Sequence, residues 1–199
     1  MNTLADILAQ PMKILRLQQN TPKWLEVRQK FRTASETPVV MGLSPWRKPG
    51  DLALEKFGGK PKVFTGNRAT QHGHDQEPFA RKAYEEQFGC VMKPACVIRD
   101  RYMASLDGWS GDRKTVLECK SPFSKRNGET WRSAENHEVE NFYYAQIQHQ
   151  LMVSGSDSCH LWVWDSATQK GIRVVVKRNL AAFEKIVKAW DAFVAKYGN

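Results

Sequence analysis

Alternating and helically spaced apolar positions divide this chain into a mixed series of strands and helices. Residues 91–98, 102–107 and 115–120 read as three short extended runs, the second ended by Gly108 and the third by Ser121-Pro122. Between Gly73 and Gly89, Glu77, Ala80, Tyr84 and Phe88 recur at helical spacing and share one face, which predicts a helix there. A second helix is predicted over 138–154, stopped by Gly155; it carries Tyr143, Gln146 and Gln150 on one side and Tyr144, Ile147 and Leu151 on an apolar one. Residues 159–164 and 172–176 are rich in β-branched and aromatic residues and read as strands. Asn179 then caps a last helix in which Phe183, Ile186, Val187, Trp190, Phe193, Val194 and Tyr197 keep one apolar face. Nearer the start, Thr21-Pro22 opens a helix through Phe31, and Thr33 with Glu36 forms a capping box for another that Gly42 ends. Residues 1–19 are mildly amphipathic, which suits an ordinary first helix or packing on a neighbouring subunit. The order predicts an α/β fold, a mixed central β-sheet flanked by helices.

The strands also carry the candidate chemistry. A polar Ser-Gly-Asp-Arg turn separates 102–107 from 115–120, so the two are predicted to form a hairpin. Side chains alternate along a strand, which puts Glu118 and Lys120 on one face and Leu117 and Cys119 on the other. With Asp107 beside the charged face, two carboxylates and a lysine converge, and hard oxygen donors of this kind suit magnesium or manganese. Such an array fits phosphodiester cleavage, because bound metal ions activate the attacking water and neutralise charge on the phosphate. Alone, the spacing is loose and also describes an exposed strand with charged alternation. Glu77 lies on the inward face of its helix, where a carboxylate is costly unless paired or metal-bound, making it a candidate third acidic ligand. The alternative is a first-turn glutamate stabilised by the helix dipole. Polar Gln146 and Gln150 beside a core face suggest a lined cleft.

Composition narrows the partner. The 199 residues, 41% hydrophobic, suffice for one sizeable core, and no linker or internal repeat divides them, so residues 1–199 are expected to form a single nuclease domain. A net charge of +9 favours a polyanion, although a basic surface also fits membrane or RNA binding. The four cysteines form no CxxC pair, so neither a zinc ribbon nor an iron–sulfur cluster is supported; Cys96 and Cys159 read as core. His72 and His74 do not have the spacing of a helical zinc pair and are expected in a loop or at a phosphate. Trp162 and Trp164 face one side of a strand, which favours burial under a helix over a base-stacking platform. The basic stretch 170–188 reads as a solvated face. No leader and no apolar run of about twenty residues is read, so a cytoplasmic protein without membrane attachment is expected.

Six ordered segments carry a resemblance: Trp24-Leu25-Glu26-Val27-Arg28, Arg32-Thr33-Ala34-Ser35-Glu36, the Gly73-to-Glu77 helix start, Ser105-Leu106-Asp107-Gly108, Leu117-Glu118-Cys119-Lys120-Ser121-Pro122-Phe123, and Tyr143-Tyr144-Ala145-Gln146-Ile147-Gln148. From Trp24 onward the chain resembles the phage lambda exonuclease family, alkaline exonucleases of the PD-(D/E)XK nuclease superfamily. The resemblance implies a magnesium-dependent exonuclease that degrades the 5′-ended strand of linear double-stranded DNA in the 5′ to 3′ direction. Its product would be a 3′ single-stranded overhang passed to a single-strand annealing protein, and its assembly a homotrimer ring. Matched by motif, Asp107, Glu118 and the backbone carbonyl of Cys119 would bind metal, with Glu77 serving a second ion. Lys120 would assist the nucleophilic water, Gln146 and Tyr143 would lie beside the site, and Arg28 and Ser35 would grip the 5′ phosphate. The chain departs from the superfamily pattern in carrying Leu106 before the aspartate where proline is usual, and Cys119 between Glu118 and Lys120. No residue of 58–68 is matched, leaving unassigned any side chain that splits the terminal base pair. A phage or prophage origin in a bacterial host is implied. The alternatives are an endonuclease on the same fold, which would cut closed circles, and a catalytically silent DNA-binding module.

Overall fold

A computed structural model describes residues 2–58, 68–122 and 128–198. In chain order the elements are α1 (Leu4–Ala9), β1 (Lys13–Leu15), α2 (Pro22–Gln29), β2 (Arg32–Thr33), a 3-10 turn (Ala34–Glu36), α3 (Thr37–Val40), α4 (Pro49–Phe57) and α5 (Arg68–Phe88). Then follow β3 (Ala95–Arg99), β4 (Tyr102–Leu106), β5 (Gly108–Trp109), β6 (Thr115–Lys120), α6 (Glu129–Glu135), α7 (Asn141–Ser154), β7 (Ser158–Asp165), β8 (Lys170–Lys177) and α8 (Leu180–Tyr197). The α/β reading holds, with the strands in two mixed sheets, ordered β1-β3-β4-β2 and β5-β6-β7-β8.

The division falls at Asp107. The predicted hairpin between 102–107 and 115–120 does not form: β4 pairs with β3 and β2, and only Gly108 and Trp109 pair with β6, opposite Leu117 and Val116. Gly108 makes the change of sheet sterically feasible, since a Cβ there would lie 2.7 Å from that of Met92 and 3.1 Å from that of Leu117. Asp107 therefore stands in the break, and its side chain replaces a ladder bond by accepting the Cys119 N–H at 2.8 Å.

α7 is the central helix. It was expected to have one apolar side, but nearly all of it from Ala145 to Ser154 is buried, so its polar residues must find partners. Gln148 does so by donating to Lys177 O (2.8 Å) and accepting from Asn179 N–H (2.9 Å), which ties α7 to the start of α8. Gly155, left-handed at φ +78°, ends the helix as predicted. Asn179 caps α8 through Ala182 N–H, and Phe183, Ile186, Val187, Trp190 and Phe193 are buried in the main core.

On the opposite face of the second sheet, α5 covers Leu117, Cys119, Trp162 and Trp164 with Ala80 and Tyr84. Trp162 is fully buried, with Tyr84 and Phe88 packed against it edge-on, so this pair is core as favoured; burying one such ring contributes roughly 5 kcal/mol. Cys96 and Cys159 are buried as read. Ile7 of α1 is buried in the main core, so residues 1–19 begin with an ordinary helix, but Lys13–Leu15 form an unpredicted strand, β1, antiparallel to β3.

Three local expectations are corrected. α5 begins at Arg68, not Gly73, so His72 and His74 lie on a helix rather than in a loop. Thr33 makes no capping bond; β2 runs into the 3-10 turn, which starts without a side-chain cap. α4 and α6, helices of nine and seven residues, were not predicted. Of residues 58–68, left unmatched from sequence, 59–67 lie outside the described residues, as does Phe123.

Candidate active site

Glu118 is the fixed point of the site. Alternation along β6 turns it away from α5 and towards α7, where it is 2% exposed. A carboxylate so buried needs donors, and three converge. Gln146 Nε2 donates to Oε1 at 2.6 Å, Gln150 Nε2 to Oε2 at 2.6 Å, and Lys120 Nζ to Oε1 at 2.5 Å. The two glutamines are one turn apart on α7, so a single helix face clamps both oxygens.

Asp107 and Glu77 complete the acidic group. Arg81, one turn after Glu77 on α5, bonds Glu77 Oε1 at 3.0 Å and the Asp107 carbonyl at 2.6 Å, drawing α5 to the break between the sheets. Glu77 stands about two and a half turns into α5, so the dipole reading, which needed a first-turn position, does not apply. Three carboxylates thus face two cations, Arg81 and Lys120. Burial first, then the charges of Glu118 and Glu77, push the Asp107 carboxyl well above the usual carboxylate range; Lys120 offsets only part of this. Burial alone would pull the Lys120 ammonium down, but Glu118, ahead of Tyr143 and Asp107, outweighs it and holds the lysine above its ordinary value. Lys120 lies over the Tyr143 ring, 4.9 Å from its centre. Burial pushes the Cys119 thiol well up, so its side chain is packing beneath α5.

Among the described residues no three His, Cys, Asp or Glu side chains close around one point. Glu118 is taken up by amides and Lys120, and Glu77 by Arg81. The donor set nevertheless fits a hard divalent cation. It offers carboxylate oxygens with unmatched negative charge and no sulfur ligand, since Cys119 turns its side chain away.

Arg28 and Ser35, seven residues apart, meet: the guanidinium donates to Ser35 Oγ at 2.9 Å. Arg28 lies over the Trp24 ring at 4.3 Å, and Trp24 Nε1 donates to Ser105 Oγ at 3.0 Å. This pair is therefore tied to β4 two residues before Asp107.

A family model described as a YqaJ-like viral recombinase domain matches residues 23–157. The chain belongs to this family. The matched stretch contains every candidate residue from Arg28 to Gln150. Uncharacterized protein YqaJ of Bacillus subtilis (strain 168) is 29% identical over 158 residues, 77% of this chain and 47% of that protein. Uncharacterized protein R354 of Acanthamoeba polyphaga mimivirus is 27% identical over 173 residues, 79% of this chain and 30% of that protein. The chain thus spans about half or less of the curated relatives it matches. Among solved structures, the alkaline exonuclease LHK-Exo from Laribacter hongkongensis is similar, with a TM-score of 0.73 at 24% identity over 89% of this chain and 93% of that one. Its complex with dAMP gives 0.74. A phage related exonuclease from Haemophilus somnus 129PT gives 0.64 at 16% identity, covering 84% and 93%. At these identities the likeness is one of fold, and it agrees with the PD-(D/E)XK reading.

For this YqaJ-like domain, sequence places Gln150 on the cleft face and Trp24 in a matched segment, each without a role, and does not single out Arg81. Arg81 carried one signal, its position four residues after Glu77. The contact from Trp24 to Ser105 spans 81 residues and left no local trace. No helix among the described residues is long and apolar enough to cross a membrane.

Proposed function

We propose that this chain is a divalent-metal-dependent nuclease domain that degrades the 5′-ended strand of linear double-stranded DNA and leaves a 3′ overhang for strand annealing. The observation that carries the reading is the buried Asp107 carboxyl in the break between the sheets, within electrostatic reach of Glu118 and Glu77, with Lys120 bonded to Glu118. A binding module would gain nothing from placing unmatched carboxylates against phosphate. Family membership and the fold of the alkaline exonucleases support the same reading.

Asp107, Glu118, the Cys119 carbonyl and Glu77 would hold the metal, magnesium or manganese, in one or two sites. Bound there, it would lower the pKa of the attacking water and neutralise the phosphate. Lys120, held as an ammonium, serves as donor and positive charge beside the phosphate rather than as a base. Gln146 and Gln150 keep Glu118 in one orientation, and the Tyr143 ring faces the Lys120 ammonium. Arg28 and Ser35, already joined, offer a guanidinium and a hydroxyl to a terminal 5′ phosphate. The homotrimer ring, the annealing partner, and a phage or prophage enzyme acting in a bacterial cytoplasm belong to this proposal and rest on the resemblance.

The test is digestion of linear duplex labelled separately at each 5′ end, with and without magnesium, beside a closed circle. Magnesium-dependent loss from 5′ ends with the circle spared is expected. A cut circle makes the chain an endonuclease, and no cutting at all makes it a binding module.

A further inference from the structure

Trp46 is the most exposed large hydrophobic side chain among the described residues, at 72%. A lone exposed hydrophobe needs no explanation as such. This one differs in how it is held and where it leads. Its loop joins α3 to α4 and is pinned on both flanks. Leu43 N–H donates to Pro38 O at 2.8 Å, and Trp46 N–H to Ser44 Oγ at 3.3 Å. Arg47 donates to Asp51 O at 3.1 Å and pairs with Glu55 at 2.6 Å. The backbone is thus fixed while the indole stands in water, forgoing the burial that makes tryptophan a strong core residue.

The indole also begins a row of rings. Its centre is 4.9 Å from that of Phe142 in an edge contact, Phe142 is 4.4 Å from Tyr143, and Lys120 Nζ is 4.9 Å from Tyr143. Trp46 therefore lies within a few nucleotides' reach of Lys120. Leu54 at 70% and Val91 at 65% are aliphatic and offer no flat face, while Phe79, exposed to 63%, is an aromatic on α5.

We propose that Trp46 is a stacking platform for an unpaired base of the DNA strand entering the site, an inference that rests on the nuclease reading. Arg47 is committed to Glu55, so the ring supplies the contact and the exposed Lys48 beside it supplies positive charge. The net charge of +9 favours a nucleic-acid occupant over a basic or neutral protein surface. Base–aromatic stacking tolerates any sequence, which suits an enzyme that must advance along DNA.

The test uses the full chain in EDTA, so that binding is read without cleavage. The probe is a fluorescein-labelled duplex with a short single-stranded tail, followed by anisotropy, and a second probe carries abasic sites in the tail. Trp46→Ala should weaken binding of the intact probe roughly five- to a hundredfold, and Trp46→Phe should recover most of that loss. Abasic sites should weaken wild type but leave Trp46→Ala unchanged. Equal affinity of wild type and Trp46→Ala, or an equal abasic penalty in both, would overturn the platform. So would a Trp46→Ala variant that alters the mass in light scattering but not DNA binding, since the ring would then face a protein. Magnesium-dependent hydrolysis of linear duplex, measured separately, decides whether the nuclease reading itself has failed.

Discussion

Two buried polar clusters flank α7, and they are built to opposite rules. Around Thr37 every charge is matched. Arg32 pairs with Asp191 at 2.6 Å and donates to the Tyr102 hydroxyl at 2.8 Å, and Lys56 pairs with Glu36 at 3.0 Å. His149, pushed down to about 3 by burial and by Arg32, stays neutral beside the Thr37 hydroxyl, which also accepts from Trp190 Nε1 at 2.9 Å. Around Glu118 the charges do not balance, and Asp107 bears the excess. The first cluster fastens α3, α4, α7 and α8 to one another. The second holds like-charge repulsion that a proton on Asp107 or, on the proposed reading, a bound metal ion would relieve.

The sharpest way to break this contrast is to remove charge from each cluster in turn. Asp107→Ala and Lys120→Ala should lower initial rates on linear duplex with magnesium by at least about a hundredfold. The neutral isostere Asp107→Asn should leave the melting temperature in EDTA unchanged or raised, because it removes one of three like charges. Full activity in any of these variants would remove the site. Asp191→Asn should do the reverse. It strands the Arg32 guanidinium in a buried position, and urea denaturation should show a loss of about 3 kcal/mol with the rate per folded molecule retained. A variant as stable as wild type would mean that the matched cluster is not a joint.

How much of this contrast sequence could show depends on how local each cluster is. Glu118 and Lys120 are two residues apart on one strand, and Gln146 and Gln150 one turn apart on one helix, so strand and helix periodicity exposed them. The buried tryptophans of β7 and the apolar face of α8 were legible for the same reason. Asp107 was legible as a residue but not as a position. Nothing in the alternation of 102–107 revealed that the strand changes sheets, since Tyr102, Leu106 and Gly108 suit a hairpin equally well. The start of α5 was misplaced because glycine and two histidines look like loop, although the following turns hold the helix through them. The joint around Thr37 was not legible at all. Arg32 and Asp191 are 159 residues apart, and His149 looks like any polar residue of a helix until burial on every side is known.

A finer test lies within α7, where Gln148 and Gln150 are equally buried but serve different purposes. Gln150→Leu keeps the volume and frees Glu118 Oε2 from its donor, so magnesium affinity by titration calorimetry and the cleavage rate should each fall 10- to 100-fold. Gln148→Leu breaks the tie to Lys177 and Asn179 and should cost stability without touching magnesium affinity. Equal effects of the two on magnesium would show that Gln150 acts only through packing.

The smallest effect concerns protons. His149 in the folded state titrates at about 3 and in the unfolded chain near 6.5, so below that value the unfolded state binds the extra proton and folding weakens. His160, bonded to the Tyr84 hydroxyl and pushed down to about 4 by burial with Arg173 and Lys177 nearby, moves in the same direction. The stability each contributes is complete above pH 6.5 and drains away as pH falls towards the folded value. From pH 7.5 to 5.5 His149 alone should cost about 1 kcal/mol, read from denaturation midpoints in EDTA. Replacing it with glutamine, which cannot titrate, should flatten that slope even though the variant starts less stable, because Gln loses the ring packed against Tyr102. An unchanged slope would assign the acid sensitivity to other groups and leave the matched cluster without its neutral member.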